Sequence, residues 1–424
     1  MKPGLICAFV IAAVAAMNGV AQPLPQAAPE SVGLSSERLE TLAEAIESEI
    51  DVGRMPGAVI AIARRGKLAY YEAFGYLDPE AGVPMPRDAI FSIASMTKPI
   101  FGVAAMMLYE RGDLLLNEPL TSYLPELGQQ RVAVDGDSSR TVPAIREPTI
   151  RDLMRHTSGH PGRAAAAVAV RRLYDEAIYS NNGGLSPHLT GAEYIEALAA
   201  LPLSYQPGTT WDYSIGFDLL GIAIERVTGQ RAYDFLRTGL FEPLGMQDTY
   251  FTLPQAKVKR QAKPLPTDPL TGTAQTVRDQ TVVRMIDCGS GCLASTAADY
   301  LAFAQMLLNR GSLNGTRILG PKTVEYMTSD HAATGVDLSN LHEFAVEHMD
   351  GYGFGLSVAV RRSTGGGGAV GSPGEYHWSG AQGTAFWVDP EEELVIVYMA
   401  QTPGPLRRYY RQLIPALVYQ AIAD

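Results

Sequence analysis

Ser95 and Lys98, in Phe91-Ser-Ile-Ala-Ser-Met-Thr-Lys-Pro-Ile100, form an S-x-x-K pair. On a helix, residues i and i+3 share a face, so the amine comes within hydrogen-bond reach of the hydroxyl. That is the arrangement of an activated nucleophile. A serine hydroxyl is weakly nucleophilic alone, and a lysine takes its proton only where burial or nearby positive charge favours the neutral amine. The pair therefore requires a helix driven into an apolar interior. Pro99 suits a first turn, and Ile100, Val103, Ala104, Met107 and Leu108 recur at helical spacing until Gly112.

Other reactive residues offer less. Cys288 and Cys292 flank Gly-Ser-Gly, where a disulfide and two buried thiols are both open readings. His156 and His160 are four apart, but Gly159 and Pro161 break the helix a metal pair would need. The Gly365–Gly368 run precedes no helix start, so it is a loop and not a phosphate cradle. G-x-S-x-G is absent, which leaves a Ser-His-Asp triad on an α/β-hydrolase scaffold without an anchor. Neither cofactor nor metal is expected.

The elements that must position the pair follow from composition and periodicity. Residues 1–21 have a basic start, an apolar run shorter than the ~20 residues of a spanning helix and a small-residue cleavage site. They read as a signal peptide, with a periplasmic or secreted product and no stable membrane anchor. Residues 22–34 form a Pro/Ala-rich lead-in, and residues 35–424 the functional domain. A net charge of −11 argues against nucleic acid or anionic membrane as partners, while 46% hydrophobic content supports a globular chain. Oligomeric state is not legible.

A helical stripe (Leu39, Leu42, Ala43, Ile46, Ile50) is followed by two strands, 58–63 and 68–74, around Arg65-Gly66-Lys67. Residues from about 113 to 300 are helix-rich, with helices at 150–155, 192–200, 217–227 and 297–308. Strands return at Tyr352–Val360, Thr384–Val388 and Leu394–Met399, before a closing helix from Arg407 to Ile422. The fold class is α/β in the α+β sense: an antiparallel sheet built from both chain ends (about 35–112 and 301–424), flanked by helices, with an inserted, mainly helical part (about 113–300).

Three further segments join Ser-Met-Thr-Lys98: His156-Thr-Ser-Gly159, Trp211-Asp-Tyr213-Ser-Ile215-Gly and His377-Trp378-Ser379-Gly380-Ala381. In this order and at these separations the chain resembles the penicillin-recognising serine hydrolases, which include class C β-lactamases, DD-peptidases and family VIII carboxylesterases. Leu116–Pro125 and Leu293–Tyr300 extend the resemblance along nearly all of the mature chain. It implies a β-lactamase/transpeptidase-like fold, with Ser95 as nucleophile and Lys98 and Tyr213 as proton-transfer groups. It also implies an oxyanion hole from the backbone N–H groups of Ser95 and Ala381. The family's K-T-G strand falls on Trp378-Ser379-Gly380, where Gly380 would let substrate approach closely, and His377 would shape the pocket.

Two departures concern substrate. Trp378 replaces the K-T-G cation, and Ile215 replaces the asparagine of Y-x-N, removing partners for a carboxylate and an acylamide. Both favour a less charged carboxylic ester, as in family VIII. Arg407, in Pro403-Gly-Pro-Leu-Arg407, resembles a class C carboxylate-binding arginine and could equally start a solvent-facing helix. Weak β-lactam turnover, a DD-peptidase and a noncatalytic binding scaffold remain the alternatives to a small-molecule esterase.

Overall fold

Gly57–Arg64 is buried at all eight positions, as expected of a strand covered on both faces. It pairs antiparallel with Lys67–Asp78 across a tight turn and with Leu394–Ala400 from the far end of the chain, Ala58 opposite Ala400 and Arg64 opposite Leu394. Arg65 and Gly66 both have positive φ (53° and 72°), the twist that two-residue hairpin turns favour. The computed structural model describes residues 24–162, 164–179, 185–332, 334–341 and 349–424. It completes an eight-stranded sheet in the order Tyr352–Phe354, Ala359–Arg361, Tyr376–Ser379, Ala385–Asp389, Leu394–Ala400, Gly57–Arg64, Lys67–Asp78, Val83–Pro84. Segments from both halves of the chain build this antiparallel sheet, and residues 1–21, the segment read as a signal peptide, lie outside the described residues.

Strand alternation divides the core. Ala58, Ile60 and Ile62 face the helices Ser36–Asp51 and Leu406–Tyr419, meeting Leu42, Ile46, Tyr410 and Ile414. Val59, Ala61 and Ala63 face the other way, into the larger core with the helices Thr97–Arg111 and Ala297–Leu308. Every residue from Thr97 to Leu108 is buried, so the helix carrying Lys98 is enclosed on all sides and not along one stripe. The expected division at residue 300 falls inside the helix Ala297–Leu308, which packs on the central strands.

The expected single strand Tyr352–Val360 is two short strands paired with each other, Tyr352 opposite Arg361. Ser357, at φ 85°, turns the chain between them. A Cβ on Gly355 would lie 2.7 Å from Met327 O, so the reversal is seated against the Pro321–Met327 helix. Among the described residues no helix is long and apolar enough to cross a membrane.

Candidate active site

Ser95 lies in a 3-10 turn, Ala94–Met96, that runs directly into the helix Thr97–Arg111. Ala94 enters it at φ 44°, a region the Cβ disfavours. Such a backbone persists only where its surroundings over-determine it. Here Ile93 N–H donates to Leu293 O (3.0 Å), Thr97 Oγ1 accepts from Leu293 N–H (3.1 Å) and the Tyr300 hydroxyl donates to Met96 O (2.9 Å). The amides of Gln280 and Gln401 donate to Ser92 Oγ and O, at 2.9 and 3.3 Å.

Lys98 is 2% exposed. Its Nζ donates to Ser290 O at 2.6 Å and stands over the Tyr213 ring, 4.5 Å from its centroid. Ser290 is itself held by Asp218, whose carboxylate accepts from Ser290 N–H (2.9 Å) and Oγ (2.8 Å). Burial pushes the Asp218 carboxyl up, against those hydrogen bonds and the Lys98 charge. Asp218 thus acts on Lys98 through Ser290. Asp218→Asn, which replaces one acceptor by a donor facing Ser290, should lower kcat on the order of 10- to 100-fold with little change in KM. Steady-state kinetics on one ester check it, and an equal rise in KM would contradict a positioning role.

Tyr213 sits among aromatic rings, with His156 at 4.6 Å, Trp378 at 5.6 Å and Trp211 at 6.2 Å between centroids. His156, at φ 58°, accepts the Ser214 N–H on Nδ1 at 3.3 Å, which places any ring proton on Nε2. Burial, then the Lys98 charge, holds it well below the usual imidazole range. Burial alone pushes His160 down to about 3. An unfolded histidine binds its proton near 6.5, so the buried neutral ring contributes stability above that pH and loses it as pH falls toward the folded value. Asp299, raised by burial to about 6, and Asp218 run the opposite way over part of this range, but they cancel between two variants. Between pH 6 and 4 the wild type should therefore lose roughly 1.4 kcal/mol per pH unit that His160→Gln does not lose. Urea unfolding across pH measures the difference; parallel profiles would refute it.

Ser95, Lys98, Tyr213, Ile215 and Ala381 line one cavity of about 460 Å³. Trp378 packs against Tyr213 and Phe354. Residues alternate across Tyr376–Ser379, so His377 and Ser379 line a separate small cavity. There His377 Nδ1 lies 3.2 Å from Glu375 Oε1, and Glu375 pairs with the buried Arg361 at 2.9 Å. Arg407 Nη1 donates to the carbonyls of Pro403 and Gly404, and Arg407 is not among the residues lining the Ser95 cavity. Arg411 Nη2 instead reaches Gly380 O at 2.6 Å.

Gly380 has a packing reason beyond substrate access: a Cβ there would lie 2.3 Å from Ile93 O and from Thr384 Oγ1. Gly380→Ala would push the strand end off the turn that carries Ser95. It should cost roughly 2 kcal/mol and lower the Tm by several degrees, as calorimetry would show.

Cys288 and Cys292 are joined, with Cα atoms 5.5 Å apart, closing the loop that presents Ser290 to Lys98. Ser290, between the two cysteines, stands in no motif of its own, and only the fold brings its carbonyl to Lys98. Asp218 and Gln382 stand three and one residues beyond the motif positions Ile215 and Ala381, and Arg278 stands outside every motif, so none of the three was marked.

The Beta-lactamase family profile matches residues 42–418. The chain belongs to that family. Within it, Protein Rv1367c of Mycobacterium tuberculosis is 35% identical over 369 residues, covering 84% of this chain and 88% of its own. Esterase EstB of Burkholderia gladioli is 29% identical over 417 residues, covering 92% and 98%. Among solved structures, EstCE1, described as a hydrolase with promiscuous acyltransferase activity, superposes with a TM-score of 0.71 at 24% identity, covering 92% of this chain and 99% of that one. At that identity the likeness concerns the fold. This Beta-lactamase family member is a serine β-lactamase-like protein with an esterase among its relatives.

Proposed function

We propose that the protein hydrolyses carboxylic esters of small molecules through a covalent acyl-enzyme on Ser95. One observation carries this: Ser95, the buried Lys98, Tyr213 and the Ala381 backbone open onto a single cavity. Ser95 Oγ attacks the ester carbonyl carbon while its proton passes to the Lys98–Tyr213 pair. The oxyanion is received by the N–H groups of Ser95 and Ala381. The tetrahedral intermediate collapses, and the alcohol leaves with the proton. Water then adds to the acyl carbonyl by the same proton route, releasing the carboxylic acid and restoring Ser95. Similarity to EstB supports esters as the substrate class, and so does Ile215 where Y-x-N has its amide. Hydrolysis of short-chain p-nitrophenyl esters, lost in Ser95→Ala, tests it; wild-type rates equal to those of the variant would refute it.

Transfer of the acyl group to an alcohol other than water shares the first half-reaction, and similarity to Acyltransferase mokF of Monascus pilosus, 29% identical over 372 residues, favours it as a second reading. An added alcohol that converts the acid product to a new ester would reveal it. Turnover of nitrocefin tests β-lactam hydrolysis, for which Arg407, tied to Pro403 and Gly404, offers no support. Export to an oxidising compartment accords with the Cys288–Cys292 bond, and cleavage after about residue 21 is testable by N-terminal sequencing of the exported protein.

A further inference from the structure

Arg278 is a half-buried cation in the catalytic cavity that the acylation chemistry leaves without a role. Its Nη1 reaches Cys292 Sγ and lies 3.7 Å from Cys288 Sγ, and disulfide sulfurs are weak acceptors. Among the described residues no carboxylate forms an ion pair with it. Asp218, the carboxylate whose charge reaches it, is occupied by the two hydrogen bonds from Ser290. Of the other ionic groups on the cavity wall, Arg171 pairs with Asp175 at 3.4 Å and Lys98 is held by the Ser290 carbonyl. Burial, and then the charge of Arg284, bring the Arg278 guanidinium down to about 10, a measure of how poorly its charge is compensated. The disulfide loop thus stands between two cations: its Ser290 carbonyl receives Lys98, while its sulfurs lie against Arg278.

A guanidinium held this way lacks an anion, and the cavity opens to it. On the basis that Ser95 is the acylated residue, we propose that the substrate carries a free carboxylate besides its ester group and that Arg278 receives that carboxylate. One guanidinium fork matches one planar carboxylate in charge and geometry. A dianionic phosphate would be left half-compensated, because Lys98 is already committed to Ser290. The lost K-T-G cation is thereby answered by Arg278, and Leu185, Tyr174 and Tyr179, which line the same cavity, offer apolar surface to the chain that joins ester and anion.

Monomethyl adipate and methyl hexanoate test a carboxylate on the acyl side, and 4-carboxyphenyl butyrate and phenyl butyrate test one on the alcohol side. Binding of all four esters to Ser95→Ala by calorimetry decides the inference without turnover. At least one charged ester should bind ten-fold or more tighter than its neutral partner. Adding Arg278→Gln should abolish that preference and Arg278→Lys should restore part of it. Equal binding of both pairs, or a preference that survives Arg278→Gln, overturns the carboxylate site. Hydrolysis by protein with Ser95 intact reports separately on the esterase assignment: if the charged ester binds through Arg278 but no ester is cleaved, the assignment fails and the site stands. Where cleavage occurs, the ratio of kcat/KM for charged over neutral ester should fall at least ten-fold in Arg278→Gln.

Discussion

Ser95→Ala should reduce ester turnover on the order of 10,000-fold or more, to a rate set by binding and the remaining polar groups alone. The expectation follows from what the turn holds. Ala94 at positive φ is pinned through Ile93, Met96 and Thr97. Its effect is to present a half-buried hydroxyl at the cavity wall, ahead of a helix that is enclosed from Thr97 to Leu108. Removing Oγ changes none of those backbone contacts, so the variant should keep the wild-type Tm within a degree or two. A fluorophosphonate probe should label the wild type at a single site and leave Ser95→Ala unlabelled. Labelling of both proteins, or of neither with full ester turnover, would move the nucleophile elsewhere.

The sheet was legible because alternation, the Arg65-Gly66 turn and the long apolar strands are local signals, and the meeting of 57–64 with 394–400 follows once both ends read as strands. The break within Tyr352–Val360 was not legible: Ser357 takes positive φ because Met154 O and Met327 O receive the backbone N–H groups of Ser357 and Leu356, contacts that no local pattern encodes. The site divides the same way. Ser95, Lys98 and Tyr213 stand in short motifs, whereas Asp218 and Arg278 matter only through a loop that brings residues 72 and 14 positions away against them. Positions on the strand near Trp378 show a further limit. Motif order places the strand beside the site, but pleating decides which residues face it, and His377 and Ser379 fall on the other side. The carboxylate partner that Trp378 removes, and that Arg407 offered as one reading, is therefore better sought at Arg278, which no motif marks.

Lys98→Met and Tyr213→Phe should separate the two proton-transfer groups, and stability supplies the control. Lys98 is a nearly inaccessible amine that donates to Ser290 O, with Tyr213 beneath it and Phe217 at 5.9 Å. Replacing a buried ionisable group by an apolar one of similar length relieves desolvation, at the expense of one unsatisfied carbonyl. The Tm of Lys98→Met should thus stay level or rise. Turnover should fall about 1,000-fold or more, because Ser95 then has no amine one turn away to take its proton. Tyr213→Phe keeps the ring that His156 and Trp378 pack against and removes only the hydroxyl, so the fold should again be preserved. Its loss should lie between about 100- and 10,000-fold in kcat if the phenol carries the proton. If the phenol only shields Lys98 from water, the phenylalanine ring does that equally well and kcat should change by less than about 3-fold. Single-turnover kinetics on both variants, read against their melting curves, therefore assign the proton route: two large losses place both groups on it, while a silent Tyr213→Phe leaves Lys98 as the sole base.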